Sequence, residues 1–265
     1  MIVNNPIVSI IIPSFNREKY ILETLKCVQS IHYNNFECII VDNSSTDNSV
    51  TIIREFIKLD SRFKLITENE NIISSSRNRA IRASSGKYIL PLDSDDLIHP
   101  DYVEEAVKIL EAEPDVAVVT CNAIFFGSKR GKWRLPEYDF SKFLITNSLH
   151  NSSLFRRNDF DRTDGYKIEL IVREDWEFWI NILKTGQSVV RIPKTYFFYR
   201  KHNDSITKKY WKSKEVNKAF QIIYNYHSEL YAPFLDNPIV LLKEYSKFKI
   251  AYNFIRRLTF RKPVD

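Results

Sequence analysis

Short apolar runs alternate with segments of helical spacing over the first hundred residues. The runs at residues 8–12, 38–41 and 63–66, and the run that ends at Asp93, have the continuous character of strands buried on both faces. Helices are predicted between them from apolar residues at helical spacing, in three segments: Ile21, Leu25 and Val28; Val50, Ile53 and Ile57; and residues 74–83. This alternation predicts a mostly parallel sheet covered by helices on both faces.

The pattern is less regular beyond Pro100. The elements predicted there are a helix with Val103, Ala106, Val107 and Leu110 on one face, a strand at 116–126, an exposed loop at 125–136, a strand at 151–155, a helix at 174–184 capped by Gly186, and two short strands at 188–192 and 196–200. From about residue 211 the chain becomes helical, aromatic and basic. We therefore expect one α/β domain followed by a helical extension.

Polar clusters directly follow three of the predicted strands. Ser14, Phe15 and Asn16 follow the first strand, residues 42–45 the second, and residues 93–95 the fourth. In open parallel sheets, ligands bind beyond the carboxyl ends of the strands. The three clusters are therefore predicted to converge on one crevice.

Asp93 and Asp95 are the most informative residues of the chain. Side chains two positions apart on an extended segment point the same way, so both carboxylates can face one site. A hard divalent cation takes such oxygen ligands and retains positions for phosphate oxygens and water. The pattern predicts a metal and diphosphate site. The alternative interpretation is a solvated turn, in which Asp93, Asp95 and the following Asp96 have no ligand.

Each of the other clusters has a functional and a structural interpretation. Phe15 can stack on a nucleobase and Asp42 can accept hydrogen bonds from a base edge, or both can belong to ordinary strand-to-helix turns. Arg77 lies on a short predicted helix near the same crevice, where a guanidinium suits a diphosphate, or it pairs with Asp42 or Asp93.

Two acids begin the predicted helix at 174–184. The positive end of a helix favours ionised carboxylates, so we expect Asp175 to be available as a base that removes a proton from an alcohol. Ordinary preference for acids at a helix start explains Glu174 and Asp175 equally well. His202 follows the last predicted strand and is a candidate for a metal or diphosphate contact, or is simply a surface residue.

Composition narrows the class of protein. The 265 residues are 44% hydrophobic and 27% charged, as in soluble globular proteins, and no apolar segment reaches the length of a membrane span. The three cysteines, Cys27, Cys38 and Cys121, are too few and scattered for a disulfide framework or zinc site, and no secretory signal is evident. We therefore expect a cytoplasmic protein. The net charge of +6 permits an anionic substrate, nucleic acid or anionic lipid as partner.

Taken in order, these motifs resemble the inverting glycosyltransferases of family 2, which have the nucleotide-sugar-binding GT-A fold. The resemblance covers roughly residues 7–203, and the matching segments are residues 8–17, 40–47, 76–81, 86–96 and 174–179. It implies a Rossmann-like, mostly parallel central sheet flanked by helices. Residues 1–100 would form the nucleotide-sugar-binding half, 101–210 the acceptor-binding and catalytic-base half of the same domain, and 211–265 a C-terminal helical extension.

The resemblance also implies roles for matching positions. Asp175 would be the general base. Asp95, with Asp93 and His202, would hold Mn²⁺ or Mg²⁺, and Glu174 and Trp176 would contact the acceptor. The nucleotide sugar would be bound by Pro13, Ser14, Phe15, Asn16, Asp42, Arg77, Asp93 and Ser94. Two departures concern local shape: Asn43 and Ser44 replace the family's usual acid and glycine, and the glycine common before the serine-rich helix is absent at Ile72 and Ile73.

The implied activity is metal-dependent, inverting transfer from a nucleoside-diphosphate sugar, with UDP the expected nucleotide, to a glycan or lipid-linked glycan. Bacterial surface polysaccharide synthesis, such as that of capsule or O-antigen, is the expected setting. A nucleotidyltransferase would also use paired acids, but the chain has only five glycines for a phosphate loop. A nucleic-acid-binding module would explain the charge, but the cations are not striped with aromatics, so no nucleic acid is expected as partner. Residues 211–265 would form a lid, a dimer contact, a peripheral contact with anionic membrane, or a packed extension with a solvated basic face.

Overall fold

A mixed nine-stranded sheet forms the centre of the computed structural model, which describes residues 8–202 and 214–234. The strands in those residues are β1 (Val8–Ser14), β2 (Phe36–Asn43), β3 (Phe63–Glu68), β4 (Tyr88–Pro91), β5 (Leu97–Ile98), β6 (Val116–Gly127), β7 (Gly131–Trp133), β8 (Leu154–Arg156) and β9 (Ser188–Lys201).

The spatial order of the strands is β3-β2-β1-β4-β8-β6-β9-β5, and β7 pairs with β6 outside this path. β1 is parallel to β2 and β4, β2 is parallel to β3, and β6 is parallel to β9. β8 is antiparallel to both of its neighbours, and β5 and β7 are antiparallel edge strands. Six of the nine strands, β1, β2, β3, β4, β6 and β9, therefore run in the same direction, which confirms the prediction of a mostly parallel sheet.

Helices cover the sheet through the apolar positions that the sequence indicates. The helices of the described residues are α1 (Ile21–Gln29), α2 (Ser49–Ile57), α3 (Ile73–Ala83), α4 (Tyr102–Ala112), α5 (Phe140–Phe143), α6 (Arg157–Asp161), α7 (Glu174–Leu183), α8 (Lys214–Tyr226) and α9 (Ser228–Tyr231). All three predicted apolar positions of α1 and all four of α4 are buried. The predicted cap also forms after α7, where Gly186 donates its backbone N–H to the Leu183 carbonyl at a positive φ of 90°.

The exposed loop predicted at residues 125–136 is wrong in part. β6 continues to Gly127, and β7 returns as a hairpin in which Phe125 pairs with Gly131. Gly127 and Gly131 have φ of 84° and 124°, so glycine allows the chain to reverse within a short distance. The strand predicted at 151–155 begins only at Leu154.

The two strands predicted at residues 188–192 and 196–200 are one strand, β9. Its register against β6 shifts where Ile192 pairs with Cys121 and Thr195 pairs with Asn122, so Pro193 and Lys194 have no partner on β6. An irregularity of this kind accommodates a proline within a paired strand. The break in the apolar pattern therefore marks a bulge and not the end of a strand.

Strand register brings the predicted polar clusters to one edge of the sheet. Ser14 at the end of β1 pairs directly with Asp42 at the end of β2, and Leu92 donates its backbone N–H to Ile11 of β1. Because parallel strands end on the same side, the residues after Ser14, Asp42 and Leu92 emerge together. This edge is the location of the candidate site.

The described residues up to Ile223 form one unit, and those from Tyr224 onward belong to a second. Of the predicted helical extension, α8, α9 and a 3₁₀ turn at Ala232–Phe234 are described and are helical, while residues 211–213 and 235–265 lie outside the described residues. No helix in the described part of the chain is long and apolar enough to cross a bilayer. The proposed boundary between the halves at residue 100 falls within a continuous sheet and stays a prediction.

Leu90→Ala tests whether β4 is the centre of the core. Leu90 is fully buried in β4, whereas Leu59 is 79% exposed after α2. We expect Leu90→Ala to lower the free energy of unfolding by about 2–5 kcal/mol because it leaves a cavity, and Leu59→Ala to change it by about 0.5 kcal/mol or less. Chemical denaturation followed by tryptophan fluorescence measures both. Equal losses in the two variants would contradict the placement of β4.

Candidate active site

A buried guanidinium joins two acidic motifs that are far apart in the sequence. Arg77 on α3 is 1% exposed; it donates to Asp93 Oδ1 and to Glu174 Oε1, each at 2.7 Å. A buried charge is tolerated when its partners are ionic and hydrogen bonded. Arg77 thereby holds the start of α7 next to the residues that follow β4. Of the structural alternatives for Arg77, the pairing with Asp93 is observed, and its role near a diphosphate stays a prediction.

The neighbouring residue on α3 fixes the segment that leads to α7. The Asn78 side chain donates to the Tyr166 carbonyl and accepts from the Tyr166 N–H, both at 2.8 Å. The Tyr166 ring stacks on Phe178 of α7 and lies 5.4 Å from the Arg77 guanidinium. Arg173 then takes a left-handed conformation with φ of 63°, immediately before the helix. α3 therefore determines where the acids of α7 begin.

Asp175 is in the first turn of α7, but its environment does not favour the ionised form as expected. Burial, followed by the adjacent Glu174 carboxylate, raises the pKa of Asp175 to about 7, although Arg77 opposes this shift. The effect of the helix terminus is smaller than that of desolvation here. The Asn147 amide approaches Asp175 Oδ2 at 3.4 Å. A carboxylate with a pKa near neutrality suits proton transfer at physiological pH.

Asp95 has the opposite electrostatic environment. Burial raises the pKa of Asp95, but the hydrogen bond from His202 and the charge of Arg17 outweigh burial, so the net shift is downward. Arg17 Nε lies 3.1 Å and His202 Nε2 lies 2.8 Å from the same oxygen, Oδ2. Asp95 is therefore ionised over the physiological range.

The ring of His202 is hydrogen bonded to Asp95 through Nε2. A hydrogen bond from Nε2 to a carboxylate requires the proton on Nε2, so this nitrogen is not free for a metal in this arrangement. Nδ1 is buried without a hydrogen-bond partner among the described residues. The ring also packs against Tyr20, with centroids 5.1 Å apart. The geometry favours His202 as a residue that orients Asp95.

The oxygen atoms that remain available define what the site can hold. Asp93 Oδ1 accepts from Arg77 and, at 3.3 Å, from Asn151, while the described residues donate no hydrogen bond to Asp93 Oδ2 or Asp95 Oδ1. Burial raises the pKa of Asp93, with Arg77 opposing it. Two carboxylate oxygens suit a hard cation that completes its coordination with diphosphate and water. Within the described ranges, no three His, Cys, Asp or Glu side chains form a metal cluster.

Asp96 belongs to the interior and not to the site. It is 1% exposed, and its Oδ1 accepts the backbone N–H of Arg200 on β9 at 2.7 Å. Burial, together with Asp95 and Asp93, raises its pKa well above the usual value. Of the three acids after β4, the first two form the site and the third attaches β9 to this edge.

The ends of β1 and β2 are hydrogen bonded to each other. Asn16, with φ of 51°, accepts from the Thr46 N–H through its side chain and donates its backbone N–H to Ser45 Oγ, both at 2.8 Å. Asp42 is 1% exposed and accepts from the Ser45 N–H and hydroxyl. The turn-capping interpretation of Asp42 is confirmed, and its contact with a base stays a prediction.

Both departures from the family pattern have a local explanation. Ser44 takes a left-handed φ of 62°, which glycine adopts without strain, and its hydroxyl donates to the Glu68 carbonyl at 2.8 Å. Asn43 accepts the Ser76 hydroxyl through its side chain. Ile72 is extended, with φ of −124°, immediately before α3, so no glycine is needed there.

The remaining predicted residues differ in accessibility. Pro13, Ser14 and Ser94 are buried at the same edge, and the Ser14 hydroxyl has no partner among the described residues. Phe15 is partly exposed. Trp176 is 3% exposed and donates its indole N–H to the Phe143 carbonyl, so its ring packs in the core. Contacts of Glu174 and Trp176 with an acceptor stay predictions.

Sequence reasoning missed four residues that support the carboxylates. Arg17 directly follows the first polar cluster, and this position in the sequence is the feature that could have identified it as a site residue. Arg200 donates to the Asp95 carbonyl from β9. Asn147 and Asn151 lie on an irregular segment whose composition is typical of any loop.

Parallel strands that end in carboxylates at one edge of the sheet, with α7 held beside them by Arg77, agree with the glycosyltransferase class that the sequence motifs resemble. The family model described as glycosyl transferase family 2 matches residues 9–168, which is more than half of the chain. The chain belongs to this family.

Similar proteins include bacterial glycosyltransferases. Putative glycosyltransferase EpsH of Bacillus subtilis (strain 168) is 29% identical over 263 residues, which cover 89% of this chain and 75% of EpsH. Putative teichuronic acid biosynthesis glycosyltransferase TuaG of the same organism is 28% identical over 213 residues, covering 78% of this chain and 84% of TuaG.

Solved structures share the fold. S. aureus TarS 1-349 in complex with UDP-GlcNAc superposes with a TM-score of 0.71 at 20% identity, covering 86% of this chain but 66% of the TarS chain. Mannosyltransferase PcManGT from Pyrobaculum calidifontis, in complex with GDP-Man and Mn²⁺, gives a TM-score of 0.62 at 21% identity, covering 95% of this chain and 76% of the other. The GT-A fold expected from the sequence is confirmed.

Glu174→Gln tests the electrostatic origin of the Asp175 shift. The change removes one negative charge and frees Arg77 from one ion pair, and both effects favour ionised Asp175. We expect the Asp175 pKa to fall from about 7 toward its ordinary value, as measured by carboxyl ¹³C NMR titration. Glu113→Gln, at an exposed position, is the control. An unchanged pKa in Glu174→Gln would contradict the assigned cause.

Proposed function

We propose that the protein transfers a sugar from a nucleoside-diphosphate sugar to an acceptor hydroxyl with inversion of configuration. The observation that carries this proposal is the Arg77 bridge, which brings Asp175 of α7 to the edge that carries Asp93 and Asp95. A base and a diphosphate site must be adjacent for this reaction, since attack and departure occur at one carbon. No specific observation favours a nucleotidyltransferase or a nucleic-acid-binding module.

The donor nucleotide is proposed to lie across the ends of β1, β2 and β4. Phe15 is partly exposed there and offers a ring face, while Asn16 and Asp42 maintain the loops on either side of it. Further residues assigned to this pocket are Pro13, Ser14, Arg77, Asp93 and Ser94. Arg77 is buried and hydrogen bonded to Asp93, so we propose no direct contact between Arg77 and the diphosphate. Its positive charge acts at a distance, by offsetting part of the negative charge of Asp93.

Asp95, with Asp93, is proposed to hold Mn²⁺ or Mg²⁺ through Asp95 Oδ1 and Asp93 Oδ2, the oxygens that accept no hydrogen bond from the described residues. Such a cation supplies positive charge that offsets the negative charge on a departing diphosphate. Arg17 and His202 keep Asp95 ionised and oriented for this task. His202 acts on the metal site through Asp95.

Asp175 is proposed as the general base. Its carboxylate accepts the proton of the acceptor hydroxyl while that oxygen forms a bond to the anomeric carbon, and the bond from this carbon to the diphosphate oxygen breaks on the opposite face. The electron pair of the broken bond leaves with the nucleoside diphosphate. A pKa of about 7 gives the base both an ionised fraction and useful basicity at neutral pH.

The substrate class is proposed from the family and its relatives. TarS is described with UDP-GlcNAc and PcManGT with GDP-Man and Mn²⁺, so different nucleotides occur on this fold. UDP is the proposed nucleotide here. The relative TuaG is named for teichuronic acid biosynthesis, which supports a glycan or lipid-linked glycan acceptor in bacterial polysaccharide synthesis. A donor panel scored for released nucleoside diphosphate tests the proposal, and no release from any donor across a range of glycan acceptors would contradict it.

Asp175→Asn is expected to abolish transfer while nucleotide binding persists. Asparagine keeps the shape but accepts no proton, so kcat should fall by about 10²–10⁴-fold. In the wild type, kcat/KM should rise with pH and level off above about 7, because the protonated carboxyl below that pH is not a base. Steady-state kinetics at pH values from about 5.5 to about 8.5 measure both effects, because this range spans the pKa of Asp175.

Asp115→Asn is the matched control for Asp175→Asn, since Asp115 is an exposed aspartate elsewhere. Its rate and pH profile should equal those of the wild type. Retained turnover in Asp175→Asn would remove Asp175 from the role of base.

Asp95→Asn is expected to weaken binding of UDP in the presence of Mn²⁺ by roughly tenfold or more, because a neutral amide is a poorer ligand for a hard cation. Titration calorimetry with and without Mn²⁺ measures the change, and UDP affinity without metal should fall much less. Asp115→Asn again serves as control. Equal metal-dependent affinities in Asp95→Asn and the wild type would contradict the assignment.

A further inference from the structure

We propose that the hairpin of β6 and β7, together with the end of β9, binds an acceptor glycan that carries repeated carboxylate or phosphate groups. We call this surface the basic hairpin and define it by residues 125–134, Tyr199 and Lys201. The inference rests on the proposed function, since it names the chemical class of the acceptor. No part of the mechanism above uses these residues.

Three aromatic rings form the base of this surface. Trp133 of β7 stacks on Phe125 of β6 with centroids 5.4 Å apart, and lies 4.9 Å from the ring of Tyr199 on β9. All three side chains are partly exposed. Aromatic faces of this kind pack against the C–H faces of sugar rings, because the contact combines apolar area with a defined orientation.

Two ammonium groups lie over these rings. Lys129 Nζ is 4.5 Å from the centroid of Phe125, and Lys201 Nζ is 4.1 Å from that of Tyr199 and 5.2 Å from that of Phe125. Two cations on one ring repel each other. Burial, and after it the charge of Lys129, lowers the pKa of Lys201. An anion placed between the two ammonium groups would relieve this repulsion.

The basic hairpin carries a concentration of positive charge. Besides the two lysines, the hairpin exposes Arg130, Lys132 and Arg134, and none of the five cations has a carboxylate within ion-pair distance in the part of the chain that the structure describes. Glu137, the next acid along the chain, pairs with Arg191 instead at 3.6 Å. A concentration of unpaired cations on one element attracts a polyanion.

The basic hairpin is joined directly to the candidate active site. Ser128 donates its backbone N–H and its hydroxyl to the Lys201 carbonyl, each at 2.8 Å. Gly127 makes this approach possible, because a Cβ there would lie 2.6 Å from the same carbonyl oxygen. The next residue, His202, contacts Asp95. A chain bound on the hairpin can therefore continue toward the reacting groups.

An acidic glycan fits this surface better than an anionic membrane. Peripheral binding to a bilayer uses large apolar side chains that project from the surface. None of the large apolar residues most exposed in the described chain belongs to the basic hairpin: they are Leu22, Leu59, Ile145, Ile168, Ile171, Phe220, Tyr224 and Tyr226. The rings of the hairpin instead pack on one another beneath the cations.

The test compares two triple variants of equal charge. Lys129→Gln, Lys132→Gln and Arg134→Gln remove three cations from the hairpin, and Lys26→Gln, Arg54→Gln and Arg82→Gln remove three exposed cations from α1, α2 and α3. The probes are an oligogalacturonate, a short polyphosphate, neutral dextran, and vesicles of phosphatidylglycerol with phosphatidylcholine. Titration calorimetry at low and moderate salt measures the soluble probes, and flotation measures the vesicles.

We expect the hairpin variant to lose roughly tenfold or more in affinity for one of the soluble polyanions, with a weaker salt dependence, while the control variant binds as the wild type does. Equal losses in both variants, or no polyanion binding by the wild type, would overturn the inference. So would a loss confined to vesicles, which would make the hairpin a membrane contact.

Binding of UDP with Mn²⁺ is measured on the same samples. If the hairpin variant binds the nucleotide normally and also binds the polyanion as the wild type does, the inference about the acceptor is rejected. The proposed function is then unaffected. Absence of nucleotide binding in the wild type, with every nucleotide tried, rejects the proposed function itself. The two failures are therefore distinguishable.

Discussion

One buried cation holds this site together. Arg77 has both arms of its guanidinium hydrogen bonded to carboxylates, Asp93 after β4 and Glu174 at the start of α7. A guanidinium removed from water must be paired to be stable, and each carboxylate is in turn stabilised by it. The relative position of the sheet edge and α7 therefore follows from a requirement for charge neutralisation. Residues further along each element, including Asp95 and Asp175, take their places from that contact.

The carboxylates around Arg77 have different chemistry because their neighbours differ. Arg17 and His202 lower the pKa of Asp95 despite burial, whereas burial and Glu174 raise that of Asp175 to about 7. Environments that separate the pKa values of nearby acids allow one acid to remain an anion and another to exchange protons. This separation is what the proposed reaction requires: a permanent negative charge near a cation, and a base whose proton affinity suits neutral pH.

The two sides of the sheet edge are built differently. On one side, parallel strands end in short loops that are tied together by Asn16 and by Ser44, both in left-handed conformations at some conformational cost. On the other side, β6 and β7 form a hairpin that carries stacked rings and cations with no carboxylate partner among the described residues. His202 is the point at which the two sides meet, because it follows β9 and contacts Asp95. We infer a donor pocket on the first side and an acceptor surface on the second.

The sequence by itself determined the parallel strands of the first hundred residues, the helices between them, and the location of the polar clusters at one edge, because apolar periodicity is a local property and strands that alternate with helices favour parallel pairing. It also predicted from an extended geometry that Asp93 and Asp95 face one site, whereas the chain turns there, with the Asp96 N–H donating to the Asp93 carbonyl at 3.1 Å. Tertiary structure decided that Arg77 joins Asp93 to Glu174, that residues 131–133 form a strand, and that Asp175 is close to neutral pKa. Ion pairs between residues far apart, and the loss of water around a carboxylate, depend on which elements pack together, and no local pattern records that.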